Sequence, residues 1–169
     1  MKLLAVLSIV ILLIGCGGEK MVVKSVFENN ERIPDVYTCT GRNVSPPLEI
    51  ESIPPKAKSL AIVVDDPDAP IGTFVHWVAW NIHVTGSRMT IQEGIPRNAK
   101  FPQGRNDFGR IGYDGPCPPP GHGIHHYHFK VYALDTFLDL NEGASKKDLE
   151  RAMRGHVIAQ GELVGTYSR

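Results

Sequence analysis

Polar side chains from three separate segments fall where a predicted strand meets a loop. The first segment begins at Asp66, after a β-branched run, and the second contributes His76 from an otherwise apolar strand face. The third is a glycine-rich stretch, 112–127, that ends at His125 and Tyr127. If the three segments meet in space, they supply a carboxylate, two imidazoles, a phenol and backbone N–H groups. This set of donors suits a small anion.

Each of these side chains also has an ordinary structural interpretation. A histidine inside an apolar strand is usually a hydrogen-bonded core residue. Asp66 and Asp68 both suit the capping of a turn, and Asp68 is the better candidate for that role. The combination of His76 with the motifs around Asp66 and His125 favours a binding site.

The sequence gives less support to metal binding and to catalysis. His126 and His128 share a predicted strand face, but a third ligand at a familiar spacing is missing. A Gly-x-Ser-x-Gly elbow, paired catalytic carboxylates and a P-loop are also missing. We therefore predict no metal, no cofactor and a binding protein. Ester hydrolysis with His76 or His125 as general base is the least favoured alternative.

Short apolar runs separated by turn residues predict a protein built mostly of strands. The predicted strands are 21–27, 59–64, 74–82, 124–135 and 158–167. One helix is predicted near the C-terminal end, from the cap Ser145 to Gly155. The prolines at 46–47 and 54–55 exclude a central strand between them, and 85–123 is predicted to be a long irregular loop. A β-sandwich with long Gly/Pro-rich loops is the expected fold class.

Successive residues of a strand point to opposite faces of the sheet, which assigns the side chains of two predicted strands to one face or the other. One face of 74–82 is expected to carry Phe74, His76, Val78, Trp80 and Ile82, and the other Val75, Trp77, Ala79 and Asn81. In 124–135, His125 and Tyr127 are expected to point inward, and His126 and His128 outward. The alternation therefore places two candidate site residues together.

The first residues have the pattern of a targeting segment. The apolar run 3–14 is too short to cross a bilayer but has the length of a signal-peptide core. It ends in Leu-Ile-Gly-Cys, the pattern of a lipoprotein cleavage site, although an ordinary signal peptide is the alternative. We predict a signal peptide at 1–15, a lipidated Cys16 with a short tether at 16–24, and one domain at 25–169. Lipid would hold the protein on the extracytoplasmic side of the cell membrane.

Cysteine and charge counts add two further expectations. An extracytoplasmic location permits a disulfide between Cys39 and Cys117, and two buried free thiols fit the sequence equally well. Lysine plus arginine number 18, as do aspartate plus glutamate, so the formal net charge is zero. This balance gives no support to a nucleic-acid partner.

In combination these motifs resemble those of the phosphatidylethanolamine-binding protein family, which includes the Raf kinase inhibitor protein. The resemblance rests on Asp-Pro-Asp-Ala-Pro at 66–70, Phe-Val-His-Trp at 74–77 and Gly115-Pro116 through His125-x-Tyr127. Other stretches match the bacterial and archaeal branch, namely 45–48, 103–109, 155–157 and 161–167. The similarity runs in order from Val26 to the end.

This resemblance implies an all-β, antiparallel β-sandwich of two sheets with a small surface pocket for phosphate-like groups. The pocket residues carried over by motif are Asp66, His76, Trp77, Gly115, Pro116, His125 and Tyr127. Asp114 departs from the pattern, because many prokaryotic members have glycine there. A carboxylate is therefore expected beside the anion-binding turn.

The function expected from the residues and the resemblance is membrane-tethered binding of a phosphate- or phosphoethanolamine-like group, such as a phospholipid head group. In this scheme His76 and His125 donate to the anion, Asp66 orients a histidine, and the Gly115 turn offers backbone amides. The alternative is a protein-interaction or inhibitor module, for example of a protease, that uses the long loop. The resemblance also implies a homodimer as an expectation.

Overall fold

Residues 19–169 are the part of the chain that the computed structural model describes, and they form nine β-strands and one α-helix. The strands are β1 (Glu19–Lys20), β2 (Val22–Lys24), β3 (Glu31–Arg32), β4 (Leu48–Glu51), β5 (Ser59–Asp66), β6 (Phe74–His83), β7 (Arg88–Ile91), β8 (His125–Leu134) and β9 (Val157–Tyr167). The helix α1 is Lys146–Ala152, and a 3₁₀ turn is Asp35–Tyr37. Within the described residues, no helix has the length and apolarity needed to span a membrane. The predicted signal peptide and Cys16 lie outside this part of the chain.

The larger sheet contains parallel as well as antiparallel pairs. Its strand order is β1-β9-β8-β5-β6, and β3 also pairs with β9. β1 and β3 both run parallel to β9, so the prediction of an antiparallel sheet is wrong at these pairs. The reason is the path of the chain: β1 pairs with 159–160 and β3 with 165–166, so the chain advances along the edge of β9 in the direction of β9 itself.

The smaller sheet has the order β2-β4-β7 and is antiparallel. β4 is its central strand, so the prediction that the proline-flanked stretch excludes a central strand is wrong. The prolines at 46–47 and 54–55 all lie outside β4, and its four residues can therefore pair on both sides. β7 lies inside the segment predicted to be irregular, and β2 is shorter than the predicted strand 21–27.

Two core clusters lie on opposite sides of the larger sheet. The first joins residues of both sheets, including Ile50 of β4, Ile62 of β5 and Phe129 of β8. The second packs the other side of β5 and β6 against α1, through Trp80 and Leu149. Cover on both sides explains why every residue of β5 is buried. Two sheets, mostly β structure and one short helix are thus confirmed.

The helix follows its predicted signals. The Ser145 hydroxyl accepts from the backbone N–H of Asp148, and the Asp148 carboxylate accepts from the backbone N–H of Ser145, which forms a capping box. Leu149 and Met153 are buried against the sheet. A capped helix of seven residues covers the outer face of β6.

Two bulges interrupt the predicted alternation of β6. The pairing with β5 shifts at His76 and again near Asn81, and at each place β6 has one extra residue. Asn81 has a positive φ of 56°. As a result Val75 and Val78 lie in the same core cluster, although strict alternation predicts opposite faces for them.

Candidate functional site

His76 enters the site from the first bulge of β6. It is the extra residue of that bulge, and bulges re-aim single side chains. The imidazole is only 3% exposed. Its ring packs edge-on against Phe108 and Tyr127, at centroid distances of 5.5 Å and 5.2 Å. The bulge therefore directs a titratable side chain into an aromatic setting.

One hydrogen bond fixes the tautomer of neutral His76. Its Nδ1 lies 2.7 Å from the backbone carbonyl oxygen of Asp114. Because a carbonyl oxygen only accepts, Nδ1 carries the hydrogen, and the neutral ring keeps a lone pair on Nε2. Burial lowers the pKa of His76, while the Asp114 carbonyl and the charge of Asp66 oppose this shift. The ring is therefore neutral near pH 7.

Asp66 reaches the site at the end of β5. Its Oδ1 accepts from the backbone N–H of Asp68 at 2.8 Å, and its Oδ2 lies 2.7 Å from Nδ1 of His125. Both carboxylate oxygens are thus engaged by donors. Asp68 instead accepts from the backbone N–H and the ring of His126. Asp66, and not Asp68 as expected, is therefore the aspartate that caps the turn.

β8 contributes the second histidine and the tyrosine. His125 and Tyr127 are buried, while His126 is exposed and His128 pairs with Glu162 at the surface. This is the division into inward and outward side chains that the alternation predicts. The rings of His125 and Tyr127 are stacked, with centroids 6.4 Å apart.

His122 completes a chain of hydrogen bonds that sequence reasoning missed. Its Nδ1 lies 2.7 Å from Nε2 of His125, so the chain runs from Asp66 through His125 to His122. Both ring nitrogens of His125 are therefore engaged, and His125 can donate to an anion only after His122 moves away. His122 lies between Gly121 and Gly123, which have positive φ values of 75° and 99°. The histidine-rich stretch was visible in the sequence, but its spacing did not distinguish His122.

The Tyr127 hydroxyl is buried without a hydrogen-bond partner. Among the side-chain polar atoms of residues 19–169 it is the single fully buried one in this condition. Burial raises the pKa of Tyr127, and the nearby charge of Asp66 raises it further, although the two groups do not meet hydrogen-bond geometry. The hydroxyl therefore stays protonated as a donor. An unpaired buried polar group is costly and calls for an explanation.

These side chains surround one cavity of about 280 Å³. Its lining residues are Asp66, Ala69, Pro70, Ile71, Phe74, His76, Phe108, Cys117, Pro118, Pro119, His125 and Tyr127. Four residues predicted for the site thus converge, namely Asp66, His76, His125 and Tyr127. Apolar side chains and prolines make up most of the remaining wall.

Three residues predicted for the site do not line the cavity. Trp77 is a core residue whose indole N–H donates to Gln103. Gly115 donates its N–H to Asn43 Oδ1 at 2.7 Å, so this amide is not free for an anion. A Cβ at Gly115 would collide with the backbone carbonyl oxygen of Tyr37, so the close approach of the two backbones requires glycine. Pro116 is buried beside it and offers no N–H.

The carboxylate of Asp114 is directed away from the cavity into a network of cations and amides. Arg110 and Arg97 form salt bridges to it at 2.7 Å and 3.2 Å, and Asn106 donates to it at 2.7 Å. Burial alone would raise the pKa of Asp114, but Asn106 and Arg110 outweigh it and hold the pKa below its usual value. Asp114 therefore anchors the loop, and its charge is compensated before it can oppose an anion.

A disulfide ties the cavity wall to the 3₁₀ turn region. Cys39 and Cys117 are bonded, with a Cα–Cα distance of 5.4 Å. Cys117 lines the cavity. Together with β7 and the Asp114 network, this bond fastens much of the long 85–123 segment to the domain.

The described residues contain no group of three or more His, Cys, Asp or Glu side chains arranged to hold a metal ion. His126 pairs with Asp68 and His128 with Glu162, so the two outward histidines have separate partners. Their pattern along β8 therefore does not form a shared ligand set in this part of the chain.

The amino-acid sequence matches a known protein family and several of its relatives. The family model for phosphatidylethanolamine-binding protein matches residues 23–168. A UPF0098 protein of Pyrococcus horikoshii is 60% identical over 173 residues, covering 96% of this chain and 86% of that protein. The match therefore includes all of the strands and loops that form the cavity.

Solved structures show the same fold. The crystal structure of a phosphatidylethanolamine-binding protein homolog from Chlamydia trachomatis has a TM-score of 0.81 and 40% identity, covering 89% of this chain and 99% of that one. Escherichia coli YbcL, a member of the mammalian phosphatidylethanolamine-binding protein family, has a TM-score of 0.80 and 32% identity, covering 88% of this chain and 98% of that one. The chain belongs to the phosphatidylethanolamine-binding protein family.

Proposed function

We propose that this protein binds a small phosphate-like anion in the cavity between β5, β6 and β8. The observation that carries the proposal is the Tyr127 hydroxyl, a buried donor without a protein acceptor, in a cavity that also presents His76 and His125. A bound oxygen would satisfy this donor and remove the cost of its burial. The name of the family, phosphatidylethanolamine-binding protein, suggests a phosphoethanolamine group as the first ligand to try.

The charge of Asp66 is partly compensated by hydrogen bonds, so a singly charged anion can bind beside it. Its two oxygens already accept from Asp68 and His125, which spreads its negative charge over two donors. Cys117 lines the cavity, and its backbone N–H has no acceptor among residues 19–169. This amide, rather than that of Gly115, is our candidate for a backbone donor.

The apolar part of the wall favours a ligand with an apolar substituent. Ile71 is 89% exposed and Phe108 is 38% exposed at the cavity. Pro118 and Pro119 add further apolar surface. An ester or phosphonate whose anionic end lies deep and whose carbon chain contacts this rim would use both parts of the cavity.

We also propose that the protein is held at the membrane through lipid on Cys16. The support is the apolar run that ends in Leu-Ile-Gly-Cys. A short tether would keep the cavity near lipid head groups. The anion-binding proposal does not depend on this anchor.

Calorimetric titration with phosphoethanolamine tests the proposed site. We expect saturable binding by the wild type and a loss of at least about tenfold in affinity for His76→Ala and His125→Ala. Tyr132→Phe is a matched control, because Tyr132 is on β8 but faces away from the cavity. Absence of binding by the wild type, or equal affinity in all variants, would remove the support for this function.

Inhibition of a protein partner remains the second proposal. The exposed apolar rim at Ile71 and Phe108 favours it, whereas the fastening of the 85–123 segment disfavours a freely projecting inhibitory loop. A pull-down with His76→Ala separates the two proposals, because His76 is buried in the cavity and is not part of the exposed rim. A partner retained by this variant, although its phosphoethanolamine affinity is lost, would support the protein-directed function.

A further inference from the structure

Two side chains at the cavity have opposite hydrogen-bonding roles, because one is a donor and the other is an acceptor. Tyr127 supplies a free O–H donor. His76 supplies a lone pair on Nε2, because its Nδ1–H is donated to the Asp114 carbonyl oxygen. Among residues 19–169, no hydrogen-bond partner contacts Nε2 of His76. Beside the Cys117 amide, the side chains of the cavity therefore offer one unpaired donor, the Tyr127 hydroxyl, and one unpaired ring-nitrogen acceptor, Nε2 of His76.

The carboxylate of Asp66 places a negative charge at the cavity, and this charge limits which ligands can bind. Asp66 is 3% exposed and its carboxylate can only accept hydrogen bonds. A ligand with two full negative charges would bring its second charge toward this carboxylate and leave Nε2 of His76 without a donor. A ligand with one charge and one O–H group would avoid both penalties.

The titratable groups around the cavity come from several elements. They are Asp66 and Asp68 from β5 and the following turn, His76 from β6, Asp114 from the loop, and His122, His125 and Tyr127 from the β8 region. Asp68 is paired with His126, and Asp114 with two arginines. Among the buried ones, only His76 presents a ring nitrogen that lacks a hydrogen-bond partner within the described residues. Nε2 of His122 also lacks a partner, but His122 is exposed and does not line the cavity.

Resting on the proposed anion site, we propose that the cavity selects the singly protonated monoanion of a phosphomonoester or phosphonate. The P–O–H group donates to Nε2 of His76, and an unprotonated phosphoryl oxygen accepts from the Tyr127 hydroxyl. The organic substituent lies against the apolar rim formed by Ile71, Phe74 and Phe108. Sulfate esters carry the same single charge but no acidic hydrogen, so the site binds them more weakly.

A matched pair of ligands tests this selection. Phenyl phosphate has a second pKa of about 6, so it is mostly a protonated monoanion at about pH 5.5, and phenyl sulfate is a monoanion without that hydrogen. We expect phenyl phosphate to bind at least about tenfold more tightly there, because the sulfate leaves Nε2 unpaired. Above about pH 6.5, its affinity should fall about tenfold per pH unit as the monoanion is depleted.

The ratio of the two affinities removes the effect of histidine protonation. Positive charge added to the protein at low pH would strengthen the binding of both esters, whereas a hydrogen on the ligand strengthens the binding of the phosphate ester only. In His76→Phe, which keeps an aromatic ring, the ratio should fall to about one. In wild type, the ¹⁵N resonances of His76 should show a neutral ring with hydrogen on Nδ1 in the complex, a readout that does not require a stable variant.

The outcomes separate this inference from the function on which it rests. Equal affinity for both esters at about pH 5.5, or phosphate binding that does not weaken above about pH 7, overturns the selection but leaves anion binding intact. A doubly protonated His76 ring in the complex overturns it in the same way. Failure of both esters to bind at any pH overturns the selection and the proposed site together.

Discussion

The role of each site residue follows from which of its polar atoms are already engaged. Alternation along β8 correctly placed His125 and Tyr127 inward, because no bulge interrupts the strand near them. It could not show that His76 is the extra residue of a bulge, since a bulge leaves no clear sequence signal. Nor could it show that the Gly115 amide is occupied by Asn43, a contact between residues far apart in the chain.

Tyr127→Phe isolates the contribution of one hydroxyl. The substitution removes a buried donor that has no partner and changes little else, so the free energy of unfolding should stay the same or rise by up to about 1 kcal/mol. Affinity for phosphoethanolamine should fall about tenfold. Urea denaturation and calorimetry measure the two effects. A variant that loses stability but not affinity would assign the hydroxyl a purely structural role.

The lowered pKa of His76 predicts a pH dependence of stability. An unfolded histidine titrates near its ordinary value of about 6.5, whereas burial holds the folded His76 below it. Over this interval the unfolded state binds the additional proton, so the free energy of unfolding decreases as the pH falls from about 7 toward 5. The contribution is fully present above the unfolded pKa and is lost as the pH falls toward the folded one.

Comparison of wild type with His76→Phe measures this contribution. Urea denaturation at successive pH values should give a smaller decrease for the variant between about pH 7 and 5, by up to about 1.4 kcal/mol per unit of pKa difference. The other histidines are common to both proteins and cancel in the comparison. Parallel curves would show that His76 titrates normally in the folded state.

At the scale of elements, strands with several alternating residues were predictable and two-residue strands were not. β5, β6, β8 and β9 bury long apolar faces, which their sequences display. β1 and β3 each consist of two residues held by the edge of β9. β4 is central although prolines flank it, because pairing depends on the residues between the prolines.

The Asp114 carboxylate should stabilise the loop that carries it, and with it the folded protein. Asp114→Asn removes the charge that pairs with Arg97 and Arg110, which are both about half-exposed, so we expect a loss of about 1–3 kcal/mol at pH 7. The lowered pKa of Asp114 makes this stabilisation present above about pH 4 and lost as the pH falls further. The difference from wild type should therefore shrink in acid.

Chemical denaturation over a range of pH checks this expectation. Asp139→Asn is the control, because Asp139 is exposed and should have an effect within about 0.5 kcal/mol. A cost for Asp114→Asn that stays constant down to about pH 2 would show that geometry, and not charge, is responsible.

The disulfide should stabilise both the domain and the cavity wall. It closes a chain separation of 78 residues, so its removal by Cys39→Ser with Cys117→Ser should cost about 2–5 kcal/mol. Ligand affinity should also weaken, because Cys117 is part of the wall. Thermal denaturation measures the loss of stability, and calorimetry measures the loss of affinity. A reductant should lower the stability and the ligand affinity of the wild type but leave those of the double variant unchanged. A wild type insensitive to reductant would contradict the prediction.

At the scale of the whole molecule, the larger sheet brings the ends of β5, β6 and β8 to one cavity. The family motifs include four of the residues that line the cavity, since they span the same strand ends that the fold brings together. The sequence could not predict the His122 contact or the direction of the Asp114 side chain, because both depend on loop conformation. Lipidation stays a prediction from the N-terminal pattern.

Replacement of the proposed lipidation site tests the membrane tether. The full chain should partition with membranes when expressed in a host that processes lipoproteins, and Cys16→Ser should be found in the soluble fraction. Mass spectrometry of the purified wild type should show an acylated N-terminal cysteine. An unmodified Cys16, or equal membrane association of both proteins, would contradict a lipid anchor while leaving the cavity proposal untouched.

A crystal structure of the protein grown with saturating phosphoethanolamine tests the anion site most directly. We predict the phosphate group inside the cavity, with one oxygen within hydrogen-bond distance of the Tyr127 hydroxyl and another next to Nε2 of His76. A cavity without ligand under these conditions, or a phosphate bound elsewhere with the Tyr127 hydroxyl still unpaired, would contradict the account.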